Sequence, residues 1–277
     1  DLYIHGGVSR NVVEDIANIE LRPTFVGIVD DSALGEDVVK KLKNHKVNTD
    51  YVMTMPGGMG TWLAVFDHNG DLAGSISQRP NLMPILGLLE EKGDEIFANA
   101  DSVIVEVDMD KDIIKKVVAL AKQYNKKLYG VVSNMSIAVE RRDFLKHFDC
   151  FICNQLEAGM LFMEDYADKS PEELRDILSK RVILGKIPAM IVTMGGNGAV
   201  YADVNGEKGI CPPQRVRVKD TTGAGDAFCA GVASGLTYGK TLSEAVEIGS
   251  RLAASVITSS ENVCPRFLPE EFGITLD

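Results

Sequence analysis

The chain has 277 residues, 29 of them basic and 40 acidic, for a net charge of −11. That balance leaves no basic face to hold a nucleic-acid backbone. Its apolar runs are broken by charge, glycine or proline well short of the roughly 18 to 20 residues that a membrane span needs, so a soluble protein is expected. Five cysteines, Cys150, Cys153, Cys211, Cys229 and Cys264, are an odd number in apolar surroundings, which suits reduced thiols in a cytoplasmic protein.

In chain order, FVGIV (25–29) reads as a strand and GEDVVKKLKNHKV (35–47) as an amphipathic helix with lysines on its outer face. Residues 51–77 break that rhythm: YVMTM, a glycine turn, TWLAVFD, the turn HNGD and LAGSIS predict antiparallel strands, as at a sheet edge or in a small lid. ADSVIVEVD (100–108) predicts a strand, residues 110–125 a helix and KKLYGVVS (126–133) a strand. RRDFLKHF then reads as a helix and DCFICN as a strand. SPEELRDILSKRV reads as a helix capped by Ser170 with Glu172 or Glu173 behind it, and AMIVTMG as a strand. RVRV (215–218) alternates like a strand and runs into a glycine- and alanine-rich helix. Repeated βα units of this length imply an α/β fold, a doubly wound and mainly parallel sheet with helices on both faces, plus a small β lid. With no internal repeat or linker, residues 1–277 read as a single domain whose active face lies at the carboxyl ends of its strands.

KDTTGAGDAF (219–228) carries the chemistry. A glycine-rich loop opening a helix leaves backbone N–H groups unpaired, and the helix dipole adds positive potential: an anion site. It is not a Walker loop, because no GK[ST] follows, and not a dinucleotide fingerprint, because Phe228 stands near where the third glycine would be needed. Asp226 in the first turn could simply satisfy the dipole. Beside an anion hole, however, it can also take the proton of a hydroxyl that attacks a phosphorus, while the N–H groups of Gly223, Ala224 and Gly225 hold the developing charge.

At this point the sequence resembles the ribokinase, or PfkB, family of sugar and nucleoside kinases. DTTGAGDAF (220–228) resembles its C-terminal signature, GGVSRN (6–11) its GGxxxN, GIVDDSALG (27–35) its GxVGxDxxG, NQLE (154–157) its NxxE, and VTMGGNGAVY (192–201) its VTxGxxG. ITSSEN (257–262) falls where the family lines its adenine and monovalent-cation sites. The resemblance implies transfer of the γ-phosphate of ATP to a primary hydroxyl of a sugar or nucleoside, with Asp226 as base. It places Gly6, Gly7 and Asn11 against the sugar. It places Asn154, Thr193, Gly195, Gly198 and Thr221 toward the nucleotide, Asn154 and Glu157 on the side of Mg2+, and Asp220 and Thr222 beside a potassium-type cation. The V-x-R-N pattern adds Arg10 as a substrate residue and favours pseudouridine as acceptor; Arg10 read alone is equally a solvated first-turn residue. For a heterocyclic ring, Met53, Met55, Trp62 and Gln78 are the lid candidates, although Met and Trp also suit a core. Ribose, fructose or 2-keto-3-deoxygluconate are alternative acceptors. A homodimer through the lid remains open.

Some features depart from the family's pattern. Nothing before Gly6 resembles its first strand and substrate-binding aspartate, so that strand is expected to be missing. Ser133 and Asn134 stand where many relatives have Asp-Pro, and Asp30 where glycine is usual. These departures leave a metabolite-binding relative without turnover as the alternative to a kinase. Cys150 and Cys153 have C-x-x-C spacing, but alternation puts them on opposite faces of a strand with no second pair to complete a metal site.

Overall fold

A computed structural model describes residues 5–66 and 72–276. Helix α1 (Val8–Asn18) leads into β1 (Thr24–Val29), α2 (Ala33–Asn44) and β2 (Asn48–Thr54). The hairpin β3 (Thr61–Phe66) and β4 (Leu72–Gln78) follows, then α3 (Pro84–Ala98). Next come β5 (Ser102–Glu106), α4 (Lys111–Gln123), β6 (Lys127–Val131), α5 (Met135–Ala138), β7 (Cys150–Asn154), α6 (Gln155–Phe162), α7 (Pro171–Gly185) and β8 (Ala189–Thr193). The chain finishes with β9 (Ala199–Asp203), β10 (Lys208–Cys211), α8 (Ala224–Thr237) and α9 (Leu242–Ile257).

The main sheet has the order β10-β9-β8-β7-β6-β5. β5 through β8 are parallel, and β9 and β10 close that side antiparallel. Side-chain alternation sorts this sheet into two cores. Phe151, Cys153, Met190 and Val192 point into the layer filled by Ile113, Ile114, Leu174 and Leu178 of α4 and α7. Cys150, Ile152, Ala189 and Ile191 point into the layer of α8, where Phe228, Ala230 and Val232 meet them. The C-x-x-C pair is therefore split between two cores, as alternation requires. All five thiols are free and buried. α7 starts where its sequence says it should: the Ser170 side chain accepts from the N–H of Glu173, the Glu173 carboxylate accepts from the N–H of Ser170, and Pro171 takes the first helical position.

Three local expectations are corrected. β2 pairs with β1 in parallel, because α2 carries the chain back over the sheet between them; within that stretch only β3 and β4 pair antiparallel, and the expected HNGD turn lies outside the described residues. RRDFLKHF folds as a 3-10 helix within Val139–His147. RVRV forms no strand: Pro212 and Pro213 follow β10 without N–H groups to extend a ladder, and the run stays exposed until the N–H of Lys219 reaches the carbonyl of Ile257 at 2.9 Å.

α8 and α9 pack almost backbone to backbone: a Cβ on Gly231 would lie 2.7 Å from the Cα of Gly249. Elsewhere, β1 and β5 line one groove of about 550 Å³ with Phe25, Val26, Val103 and Val105. Nothing among the described residues bears on the family's first strand and its aspartate. Among those residues, no helix is long and apolar enough to cross a membrane.

Candidate active site

The amino end of α8 is held from both sides. Gly223 caps it at φ 81, and a Cβ there would sit 2.0 Å from the carbonyl oxygen of Asn262, so only glycine lets that loop press in. Asp226 occupies the first turn, half-buried. Burial pushes its carboxyl up to about 6; a hydrogen bond from Asn11 opposes this, the Glu106 and Glu157 carboxylates add to it, and the Arg10 charge works against it. The three N–H groups expected to form an anion hole differ in their partners. The Ala224 N–H donates to the carbonyl of Thr221 at 3.2 Å, while among the described residues those of Gly223 and Gly225 have no acceptor.

Facing Asp226 is the first turn of α1. Gly7 caps this helix at φ 98, and the N–H of Asn11 donates to its carbonyl at 2.9 Å. The Asn11 side chain crosses to α8, where Nδ2 donates to Asp226 Oδ2 at 2.7 Å. Arg10 is not a solvated residue: it is 6% exposed. Its Nε donates to the Gly6 carbonyl at 3.0 Å and its Nη2 to the His5 carbonyl at 2.7 Å. The guanidinium also donates to Glu14 Oε2 and to Asn11 Oδ1. These bonds turn the guanidinium toward the protein.

The carboxyl ends of the parallel strands complete this face. Asn154 and Thr193 are register partners at the ends of β7 and β8. Asn154 and Glu157 form a reciprocal capping box on α6: Oδ1 of Asn154 accepts from the Glu157 N–H at 2.8 Å, and Glu157 Oε2 accepts from the Asn154 N–H at 2.7 Å. Burial raises the Glu157 carboxyl above its ordinary range and nearby Asp108 adds to the rise, while the bond from the Asn154 N–H opposes it. Gly195 and Gly198, at φ 54 and 86, turn the chain from β8 to β9. A Cβ on Gly198 would lie 2.1 Å from the Cys211 carbonyl oxygen. Asp220 folds onto its own loop, accepting from the Thr222 N–H at 2.8 Å, a bond that lowers its pKa; Thr221 and Thr222 are exposed beside it.

Several residues at this face were missed in the sequence. Glu106, at the end of β5, accepts from the N–H and hydroxyl of Ser9 at 3.0 and 2.8 Å, and burial raises its carboxyl. Asp108 accepts from the N–H groups of Ser133 and Asn134 at 2.9 and 3.2 Å and from Arg79 at 2.9 Å. Asn262 donates to Asn11 Oδ1 at 3.2 Å. Position alone could have found Glu106 and Asp108, since both stand at the carboxyl end of a strand that already reads as parallel.

Two of the departures acquire physical reasons. Asn134 supplies an N–H that Asp108 uses and that a proline could not. Asp30 turns its carboxylate into its own loop, accepting from the N–H of Ser32 at 3.1 Å and its hydroxyl at 2.5 Å. Of the lid candidates, Trp62 is 62% exposed while Met53 packs against the core.

Residues 2–264 match the model of the pfkB family carbohydrate kinases, and the chain belongs to that family. It is 35% identical over 268 residues to a guanosine-inosine kinase of Exiguobacterium acetylicum, covering 94% of this chain and 86% of that protein. It is 23% identical over 264 residues to a pseudouridine kinase of Escherichia coli, covering 91% and 80%. Its fold matches the Arabidopsis thaliana ribokinase complexed with ribose and ATP at a TM-score of 0.81, with 20% identity and coverage of 94% of this chain and 84% of that one. The protein is an ATP-dependent kinase of sugars or nucleosides.

Proposed function

We propose that the protein phosphorylates the primary hydroxyl of a purine ribonucleoside, guanosine or inosine, with ATP as donor. The observation that carries this reading is the 35% identity to a guanosine-inosine kinase along nearly the whole chain. The pseudouridine expectation has less support, at 23% identity.

In this reading the ribose lies against Gly6, Gly7 and Asn11, and its primary hydroxyl approaches Asp226. As the hydroxyl oxygen bonds to the γ-phosphorus, the hydroxyl proton passes to Asp226, whose other oxygen stays bonded to Asn11, and the bond from the γ-phosphorus to the bridging oxygen breaks to release ADP. The free N–H groups of Gly223 and Gly225, at the positive end of α8, meet the charge building on the transferred group. Thr193, Gly195, Gly198 and Thr221 border the nucleotide.

Among the described residues no three of His, Cys, Asp or Glu converge on a metal position. Magnesium takes one or two protein carboxylates and completes its shell with phosphates and water. Glu157, half-buried near the Asp108 carboxylate and raised by both, is the group on the protein side that such a cation would relieve, with Asn154 beside it. Bound with ATP, magnesium neutralises charge on the phosphates. Asp220, held ionised by its loop, and Thr222 are the candidates to hold a potassium-type cation. Leu63 and Ile76, paired across the hairpin and 60% and 72% exposed, give the lid an apolar face suited to a second copy of the chain.

The test is ADP release from ATP with guanosine, inosine, adenosine, pseudouridine, ribose, fructose and 2-keto-3-deoxygluconate. Guanosine or inosine should give the highest kcat/KM. Fastest turnover of pseudouridine or a free sugar would overturn the substrate choice, and binding without turnover the kinase chemistry.

A further inference from the structure

Asn11 bonds to Asp226, and a carboxamide has two orientations that differ in which end it presents. Only the one with Nδ2 toward Asp226 gives the carboxylate a donor; the other sets Oδ1 against a carboxylate oxygen. In this structure Oδ1 is occupied from behind by two donors, Arg10 Nη2 and Asn262 Nδ2. Asn262 is itself tied to the His5 carbonyl at 2.9 Å, the acceptor that Arg10 also uses.

What fixes Arg10 lies one turn further along α1. Glu14 is 0% exposed. A buried carboxylate must find a counter-charge, and its Oε2 takes the Arg10 guanidinium. Its Oε1 lies 3.3 Å from the Lys41 ammonium and 3.4 Å from His45, both on the α2 side. The charge that α1 buries thus anchors the guanidinium, and the guanidinium orders the amide. A lysine could neutralise Glu14 but has no planar fork to reach Glu14, Asn11 and the carbonyls of His5 and Gly6 together.

We propose that Arg10, locked on buried Glu14, is a positioning residue that sets the orientation of the Asn11 carboxamide and through it the donor to Asp226, without touching substrate. This rests on the reading of Asp226 as the acceptor of the hydroxyl proton. No freedom remains for Arg10 to reach a nucleoside while these bonds stand, so its removal should act on turnover and not on affinity.

The full chain is tested as wild type, Arg10→Lys, Asn11→Ala and the double variant, with the acceptor turned over fastest in the panel. Arg10→Lys keeps a cation beside Glu14 and should fold. Its kcat should fall by roughly 10- to 100-fold while the KM for ATP changes by less than about twofold. In the Asn11→Ala background the same change should cost less than about twofold more, because there is no amide left to orient. Additive losses would overturn the proposal. So would a raised acceptor KM at unchanged kcat, which would mark a binding role.

A second readout needs no turnover. In ¹⁵N NMR the Asn11 side-chain amide should exchange with solvent at least about tenfold faster in Arg10→Lys than in wild type; equal rates would refute the positioning role. If Asp226→Asn keeps its turnover, the base reading fails, yet the exchange experiment and the Arg10–Asn11 coupling still decide this proposal.

Discussion

Replacing Asp226 with asparagine removes the proton acceptor and little else. The amide oxygen can take the place of Oδ2 as acceptor for Asn11 Nδ2, so the 2.7 Å bond between α1 and α8 is kept. The lost charge also relieves repulsion from Glu106 and Glu157, so the melting temperature should hold or rise slightly. Removing a positioned base costs on the order of 10² to 10⁴ in kcat, about 3 to 5 kcal/mol in the barrier. The raised carboxyl gives a second signature. A group with a pKa of about 6 acts as a base only when ionised. Wild-type kcat/KM should therefore climb about tenfold per pH unit up to that value and level off above it, where at pH 7.5 roughly 97% is ionised. The assay is coupled ADP release between pH 5 and 9 at saturating ATP. Asp226→Asn should lie at least about 100-fold below the plateau, without the inflection. A variant within about fivefold of wild type at pH 7.5, or one that keeps the same inflection, would refute the assignment.

Other consequences concern stability, metal use and assembly. Burial pushes Asp15 from its ordinary 3.8 up to about 8, so the folded chain holds a proton that the unfolded chain releases. That stabilisation is fully present below pH 4 and is lost as pH rises toward 8; Asp15→Asn should flatten the slope in thermal melts, and parallel wild-type and variant slopes would refute it. Glu157→Gln keeps an oxygen for the cap on α6 and should retain the melting temperature while raising the magnesium needed for half-maximal rate several-fold. Glu157→Ala should also lose stability, by about 1 kcal/mol. An unchanged magnesium titration in both would leave Glu157 as a cap alone. Leu63→Lys with Ile76→Lys should shift sedimentation toward the monomer, and an unaltered dimer would exclude the hairpin face as its interface.

The signals that survived folding were those carried by local physics. Period-two alternation placed β5 through β8 and split Cys150 from Cys153; the Ser170 and Glu173 pair set the start of α7. Gly223 is needed by the backbone itself, at φ 81 and with Asn262 leaving no room for a Cβ. Where a reading failed, the deciding partner was distant in sequence or geometric in kind. RVRV alternates correctly but follows two prolines and has no ladder to join. Trp62 suits a core as well as a lid, yet it is 62% exposed on its two-stranded hairpin.

Arg10 was the hardest residue to read. One turn of helix supplies its counter-charge and the residues just before it supply its carbonyls, but Asp226 and Asn262, which bond the neighbouring Asn11, lie 215 and 251 positions from that asparagine. The sequence by itself determined the α/β class, the helix caps and the motif residues, because each depends on neighbours within a few positions. Only the tertiary structure decided which partners Arg10, Glu106 and Asp108 find, because a side chain's charge and hydrogen-bonding capacity are spent only when the fold excludes water and brings distant groups within reach.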